Sequence, residues 1–149
     1  MVKEFSAVAE LKSIREQKSR LSEREQELAK PLLSDLALVP VIYEWFKEIL
    51  ANQDFCPRID SPHQRKKFIF IILFLFSPST LAGGRVPNKI REELSKVVCC
   101  YPSYISHNIE NVLFMFQQYK DFRQEIDYLY TEILNRLKIK GLINENAGV

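Results

Sequence analysis

Glycine is scarce in this chain. There are four in 149 residues, at positions 83, 84, 141 and 148. They fall between the stretches with helical periodicity, not within them, which argues for helices over a series of short turn-linked strands. A glycine-rich phosphate loop is also excluded, because Gly83-Gly84 lacks the lysine and the spacing of a P-loop. Cysteine is nearly as rare. Cys56, Cys99 and Cys100 are odd in number and have no framework spacing, which points to a reducing, cytoplasmic compartment. There is no CxxC pair, and His63 and His107 cannot complete a zinc set, so neither metal nor cofactor is expected. The opening VKEFSAVAELK lacks the apolar core of a signal peptide. The longest apolar run, FIFIILFLF at Phe68–Phe76, has nine residues, whereas a membrane helix needs about 20. The QRKK before it supplies a rival reading as a membrane anchor, but a buried central helix is the expectation.

A catalytic reading finds little support. Cys99, Cys100 and His107 lie close in sequence, but a nucleophilic cysteine needs a lowered pKa and an oriented base. Cysteines flanked by Val97 and Val98 read as buried. Carboxylates are scattered beside lysines and arginines, the pattern of solvated helix faces. The chain is therefore expected not to be an enzyme and to have no small-molecule substrate.

What is present is helical patterning and an uneven charge. Residues 1–60 hold nine lysines and arginines against eleven carboxylates, and residues 121–149 hold four against five. Residues 61–120 hold eight against three, so the basic excess sits in the middle of the chain. Such an excess favours phosphate binding.

Residues 2–30 are charged, free of Gly and Pro, and carry Ile14, Leu21 and Leu28 seven apart. Leu11 adds a position whose heptad equivalents are Lys18 and Glu25, so the seam is half filled. Ser22 to Glu25 has capping-box spacing, which allows a break into helices 2–20 and 23–30. This arm reads either as an oligomerisation helix or as a helix laid on the domain's own core. Pro31 and Pro40 bracket LLSDLALV, and a core-facing stripe follows at Ile42, Trp45, Phe46 and Ile49. Residues 51–63 form a loop, and Asp60-Ser61-Pro62 opens a helix over about 63–76 that is apolar all round and so enclosed. Ser77-Pro78 starts a short helical turn that Gly83-Gly84 ends. Phe122, Ile126, Leu129, Ile133 and Leu137 make the last stripe. It starts either a new helix at Phe122 or the tail of a longer one, and Gly141 stops it.

Between these lies NKIREELSKVVCCYPSYISHNIENVLFMF, residues 88–116. It reads as two helices joined by a short turn. Ile90, Leu94, Val97 and Val98 face inward from the first; Ile105, Ile109, Val112 and Leu113 face inward from the second, with Ser103 as its cap. At Arg91–Asn111 the sequence resembles the helix-turn-helix of phage Cro and repressor proteins. Ser95 falls at the motif's small residue, Leu94 and Val98 at buried positions of its first helix, Cys100 at the apolar position after the turn, and Ile105 at the buried position of its second helix. The motif's turn glycine falls at Cys99, and its late buried position at Asn108. A turn of this type therefore requires left-handed geometry at Cys99, which costs a non-glycine residue roughly 1 kcal/mol.

The resemblance implies a DNA-binding regulator of bacterial, phage or mobile-element type that docks the second helix in the major groove of double-stranded DNA. Ser103, Tyr104, Ser106, His107 and Asn108 are its expected base contacts, and Arg85, Lys89, Arg91 and Lys96 its expected phosphate contacts. The second helix has no arginine, so guanine reading by it is not expected. Gln64, Arg65, Lys66 and Lys67 join the phosphate contacts only if the fold brings them round. A homodimer is expected, joined through the N-terminal arm or the 122–137 helix. The expected fold is all-α. A single helical domain of about six or seven helices comprises an arm at 1–30, a core at 31–140 with the helix-turn-helix at 88–116, and a tail at 141–149. The rival reading is a helical protein-interaction or assembly factor in which the hairpin is purely structural.

Overall fold

A computed structural model describes residues 3–53 and 58–144. Cys56, the middle of the 51–63 loop and the last five residues of the tail lie outside them. The described residues form seven α-helices and no strand: α1 (Lys3–Ala29), α2 (Leu38–Ala51), α3 (Pro62–Phe76), α4 (Pro78–Leu81), α5 (Asn88–Val97), α6 (Pro102–Gln118) and α7 (Lys120–Ile139). The chain divides into two units, residues 1–30 and 31–149.

The first unit is α1, 27 residues long and unbroken. The capping-box spacing at Ser22–Glu25 does not divide it, because nothing in this run breaks the backbone hydrogen-bond ladder. Its apolar side chains, including Leu11, Ile14, Leu21 and Leu28, are exposed.

The second unit is built around α3. Ser61 caps it by accepting from the Gln64 amide at 3.4 Å, and Pro62 fills the first helical position, where a missing N–H has no consequence. Isoleucine and phenylalanine favour strands, but a capped start and burial on nearly every side decide the matter in favour of helix. Phe68, Ile69, Ile71, Ile72, Leu73 and Leu75 are fully buried, each contributing about 1.5–3 kcal/mol. One residue departs from the expected enclosure: Phe74 is 41% exposed.

Helices α2, α4, α6 and α7 pack on α3. In α2, the expected stripe of Ile42, Trp45, Phe46 and Ile49 is buried, and Phe46 meets Phe68 at 5.3 Å between ring centroids. Pro40 lies in the first turn of α2 and does not kink it, since the first-turn amides need no intrahelical acceptor. Pro31 lies outside any helix. The stripe Phe122, Ile126, Leu129, Ile133 and Leu137 of α7 is buried in the core. That face of α7 is committed to the protein's own core, while Tyr128 on the same helix is exposed. The α7 helix begins at Lys120, after Tyr119 leaves helical geometry, and not at Phe122. Arg136 of α7 pairs with Glu48 of α2 at 2.6 Å.

Among the described residues five polar side chains are buried, Gln64, Lys67, Ser77, Thr80 and Ser95. Thr80 is wholly buried, donates to the Arg85 carbonyl at 3.3 Å and accepts from Ser77 at 2.8 Å, which ties α4 to the strand of chain leading into α5. Lys67 of α3 is 3% exposed and pairs with Glu125 of α7. His63 lies 3.6 Å from the same carboxylate, its ring edge-on to Phe122. Burial, followed by the charge of Lys67, holds His63 below its ordinary value of 6.5, with Glu125 opposing them.

The unfolded chain therefore takes up a proton at His63 before the folded chain does. Stability is full above about pH 6.5 and falls as the pH drops through the lowered folded value. Urea midpoints should decrease between pH 7.5 and pH 5.5, and His63→Gln should flatten that decrease. Equal slopes in the variant and the parent chain would assign the pH dependence elsewhere.

Candidate nucleic-acid interface

The α5–α6 hairpin starts from a helix that needs no special stop signal until Val98. There the chain turns on Cys99, whose φ of 56° makes it the one non-glycine residue with positive φ among the described residues. The Cys99 amide donates to the Lys96 carbonyl at 3.4 Å, and the Cys100 amide reaches back to the Ser95 carbonyl at 2.9 Å. This is a Schellman-type closure with its left-handed residue next after the C-cap. The same closure ends α4 at Gly83 (φ 102°) and α7 at Gly141 (φ 70°). Cysteine thus occupies a conformation for which the chain uses glycine twice elsewhere. Neither cysteine is fully buried, contrary to expectation: Cys99 is exposed at the turn, and Cys100 is half-buried with one side against the core.

Ser95 of α5 is 7% exposed. Its hydroxyl donates to the Glu92 carbonyl at 2.8 Å, so this small buried residue is satisfied within its own helix. Leu94, Val98 and Ile105 are buried and Cys100 is half-buried, in the positions the sequence pattern assigned to the interior. Helix α6 starts at Pro102, with Tyr101 as the flanking residue and no side-chain cap. Ser103 therefore lies one position inside the helix and does not cap it.

The five expected base-contact residues separate into three environments. Ser103 and His107 are exposed on one face of α6. Ser106 and Asn108 are half-buried and hydrogen-bonded within the protein. Ser106 accepts from Arg91 at 3.2 Å, and the Asn108 amide donates to the Tyr104 carbonyl at 2.7 Å. Tyr104 packs against the core, and its enclosed hydroxyl has no hydrogen-bond partner among the described residues. Helical spacing explains the division: residues 103, 107 and 111 share one side, whereas 104 and 108 lean toward the side of Ile105 and Val112. Asn111 is exposed and extends the outer face by a turn. Its spacing from His107 was the available signal for it. Glu110 is also exposed and limits the surface that suits phosphate to the first two turns.

Among the expected phosphate contacts, Arg85, Lys89 and Lys96 are exposed. Lys96 also lies 3.4 Å from Glu93. Arg91 is half-buried and holds Ser106, so it positions α6 against α5. The fold does not bring the whole Gln64–Lys67 run to a surface, because Gln64 and Lys67 are buried. No group of metal-ligating side chains occurs among the described residues, and no described helix is long and apolar enough to cross a membrane. No protein-family model matches the chain, and comparisons with curated proteins and with solved structures give no match.

Two substitutions test this geometry. Cys99→Gly should raise stability by up to about 1 kcal/mol, partly offset by the freer unfolded chain, whereas Cys99→Val should lower it by more than that. Denaturant titration reads both, and equal losses would mean that residue 99 is not held left-handed. Tyr104→Phe keeps the packing and removes an unpaired hydroxyl, so it should be neutral or stabilising by about 1 kcal/mol. A clear loss of stability would show that the hydroxyl is bonded.

Proposed function

We propose that this chain is a sequence-specific binder of double-stranded DNA, a transcriptional regulator of bacterial, phage or mobile-element type. In this reading α5 and α6 act as a helix-turn-helix of the Cro and repressor kind. The observation that carries it is the left-handed Cys99, at the position where that motif has glycine, together with the buried small Ser95 beside it. A non-glycine residue held in this conformation requires a surrounding structure that over-determines it.

The first two turns of α6 enter the major groove. Ser103 and His107 reach base edges, Asn111 follows them, and Ser106 and Asn108 flank the contact with part of their hydrogen-bonding capacity engaged inside the protein. Arg85, Lys89 and Lys96 hold the backbone. Such a small reading surface gains specificity by doubling half-sites. The exposed Leu11, Ile14, Leu21 and Leu28 of α1 supply the apolar stripe that joins two copies. The same stripe supports the second reading, in which α1 binds a different protein and the hairpin is structural.

Selection from random duplex DNA should enrich one site, with affinity falling steeply as salt rises. The slope is about −0.9 for each phosphate neutralised. Arg85→Glu combined with Lys89→Glu should abolish binding; both residues are exposed, so the fold should be preserved. Failure to enrich any site, or full binding by the double variant, would remove the DNA reading.

A further inference from the structure

A groove of about 690 Å³ opens among α3, α4, α6 and α7. Its size lies within the roughly 300–1,000 Å³ usual for small-molecule sites. Aromatic rings form much of its wall. Phe70 stacks on Phe116 with centroids 4.3 Å apart, and Phe74 meets Tyr130 edge-on at 5.2 Å. Phe74 is the one large residue of the apolar run of α3 left exposed, and it lines this groove.

Two charged side chains line it as well. Arg123 is occupied: its Nε donates to the Phe116 carbonyl at 3.1 Å and its Nη2 to the Gln117 carbonyl at 2.9 Å. Its guanidinium also lies over the Phe116 ring, 5.5 Å from the centroid. Its charge is thus set against the C-terminal carbonyls of α6, where the helix dipole is negative. Asp127 is different. Its carboxylate has no ion-pair or hydrogen-bond partner among the described residues. Burial pushes the Tyr130 phenol up, so that ring stays neutral. The two formal charges on the wall balance, but the donors of Arg123 are engaged within the protein while the carboxylate of Asp127 is free, so the group left to pair with an occupant's charge is an anion.

We propose that this groove binds a lipophilic organic cation, its apolar body against Phe70, Phe74, Phe116 and Tyr130 and its positive charge toward Asp127. A lining drawn from four helices suits a compact molecule better than an extended peptide. Leu113 and Phe116 belong to α6, so an occupant bears directly on that helix. The inference goes beyond the DNA reading and does not depend on it.

Calorimetry on the full chain, in sodium buffer and without DNA, tests it with a shape-matched pair, tetraphenylphosphonium and tetraphenylborate. The cation should bind saturably at one site per chain, and the anion roughly tenfold more weakly or worse. Asp127 is exposed, so Asp127→Asn and Asp127→Lys should keep the parent helicity. The first should weaken the cation about three- to tenfold, and the second should remove the preference for it. The proposal is overturned if the cation fails to saturate, if the anion binds as tightly by using Arg123, or if both Asp127 variants bind the cation as the parent does.

Discussion

Nine consecutive apolar residues in α3 cannot be left in water, and the second unit is arranged around that constraint. Helices α2, α6 and α7 each contribute one apolar face to the enclosure. Because α6 is fixed by Ile105 and Val112 on its inner side, its outer side is fixed too. The presentation of Ser103 and His107 is thus a consequence of core packing. The polar insertions are consistent with this order of dependence: buried Lys67 is tolerated where Glu125 of α7 answers it, and buried Thr80 where Ser77 and Arg85 do.

The hairpin adds a second, local constraint. A helix that stops at Val97 and one that starts at Pro102 leave four residues in which to reverse direction. The left-handed Cys99 and the bond from Cys100 to Ser95 accomplish this, and Arg91 then secures Ser106 across the gap. Arginine in this place stabilises the pose of α6 and is only partly available to a partner. The outer face of α6 is small and polar at Ser103 and His107, with Glu110 exposed a turn further on, and Arg85, Lys89 and Lys96 are exposed as well.

Much of this was legible from the residues. Ser61-Pro62 announced α3, Gly141 ended α7, and the stripes of α2 and α7 follow helical spacing because each has a single buried face. The need for a left-handed Cys99 followed from its alignment with a turn glycine. What escaped the sequence depended on partners far along the chain. Gln64 and Lys67 sit in a basic run that reads as surface, and nothing local reveals that Glu125 will cover one of them. Phe74 belongs to a run that is apolar all round, so no periodicity tells which side stays open. Tyr104 sits between inward and outward positions, where spacing alone does not assign it. The two cysteines look like core from their valine neighbours, but turn geometry, not composition, sets their exposure.

We propose that the outer face of the first two turns of α6 is the surface this protein presents to DNA. Backbone amide chemical shifts, recorded as a selected duplex is added, test that claim most directly. The account predicts perturbations concentrated on Arg85, Lys89, Lys96 and residues 103–111. Perturbations confined to α1, or absent from the start of α6, would contradict it.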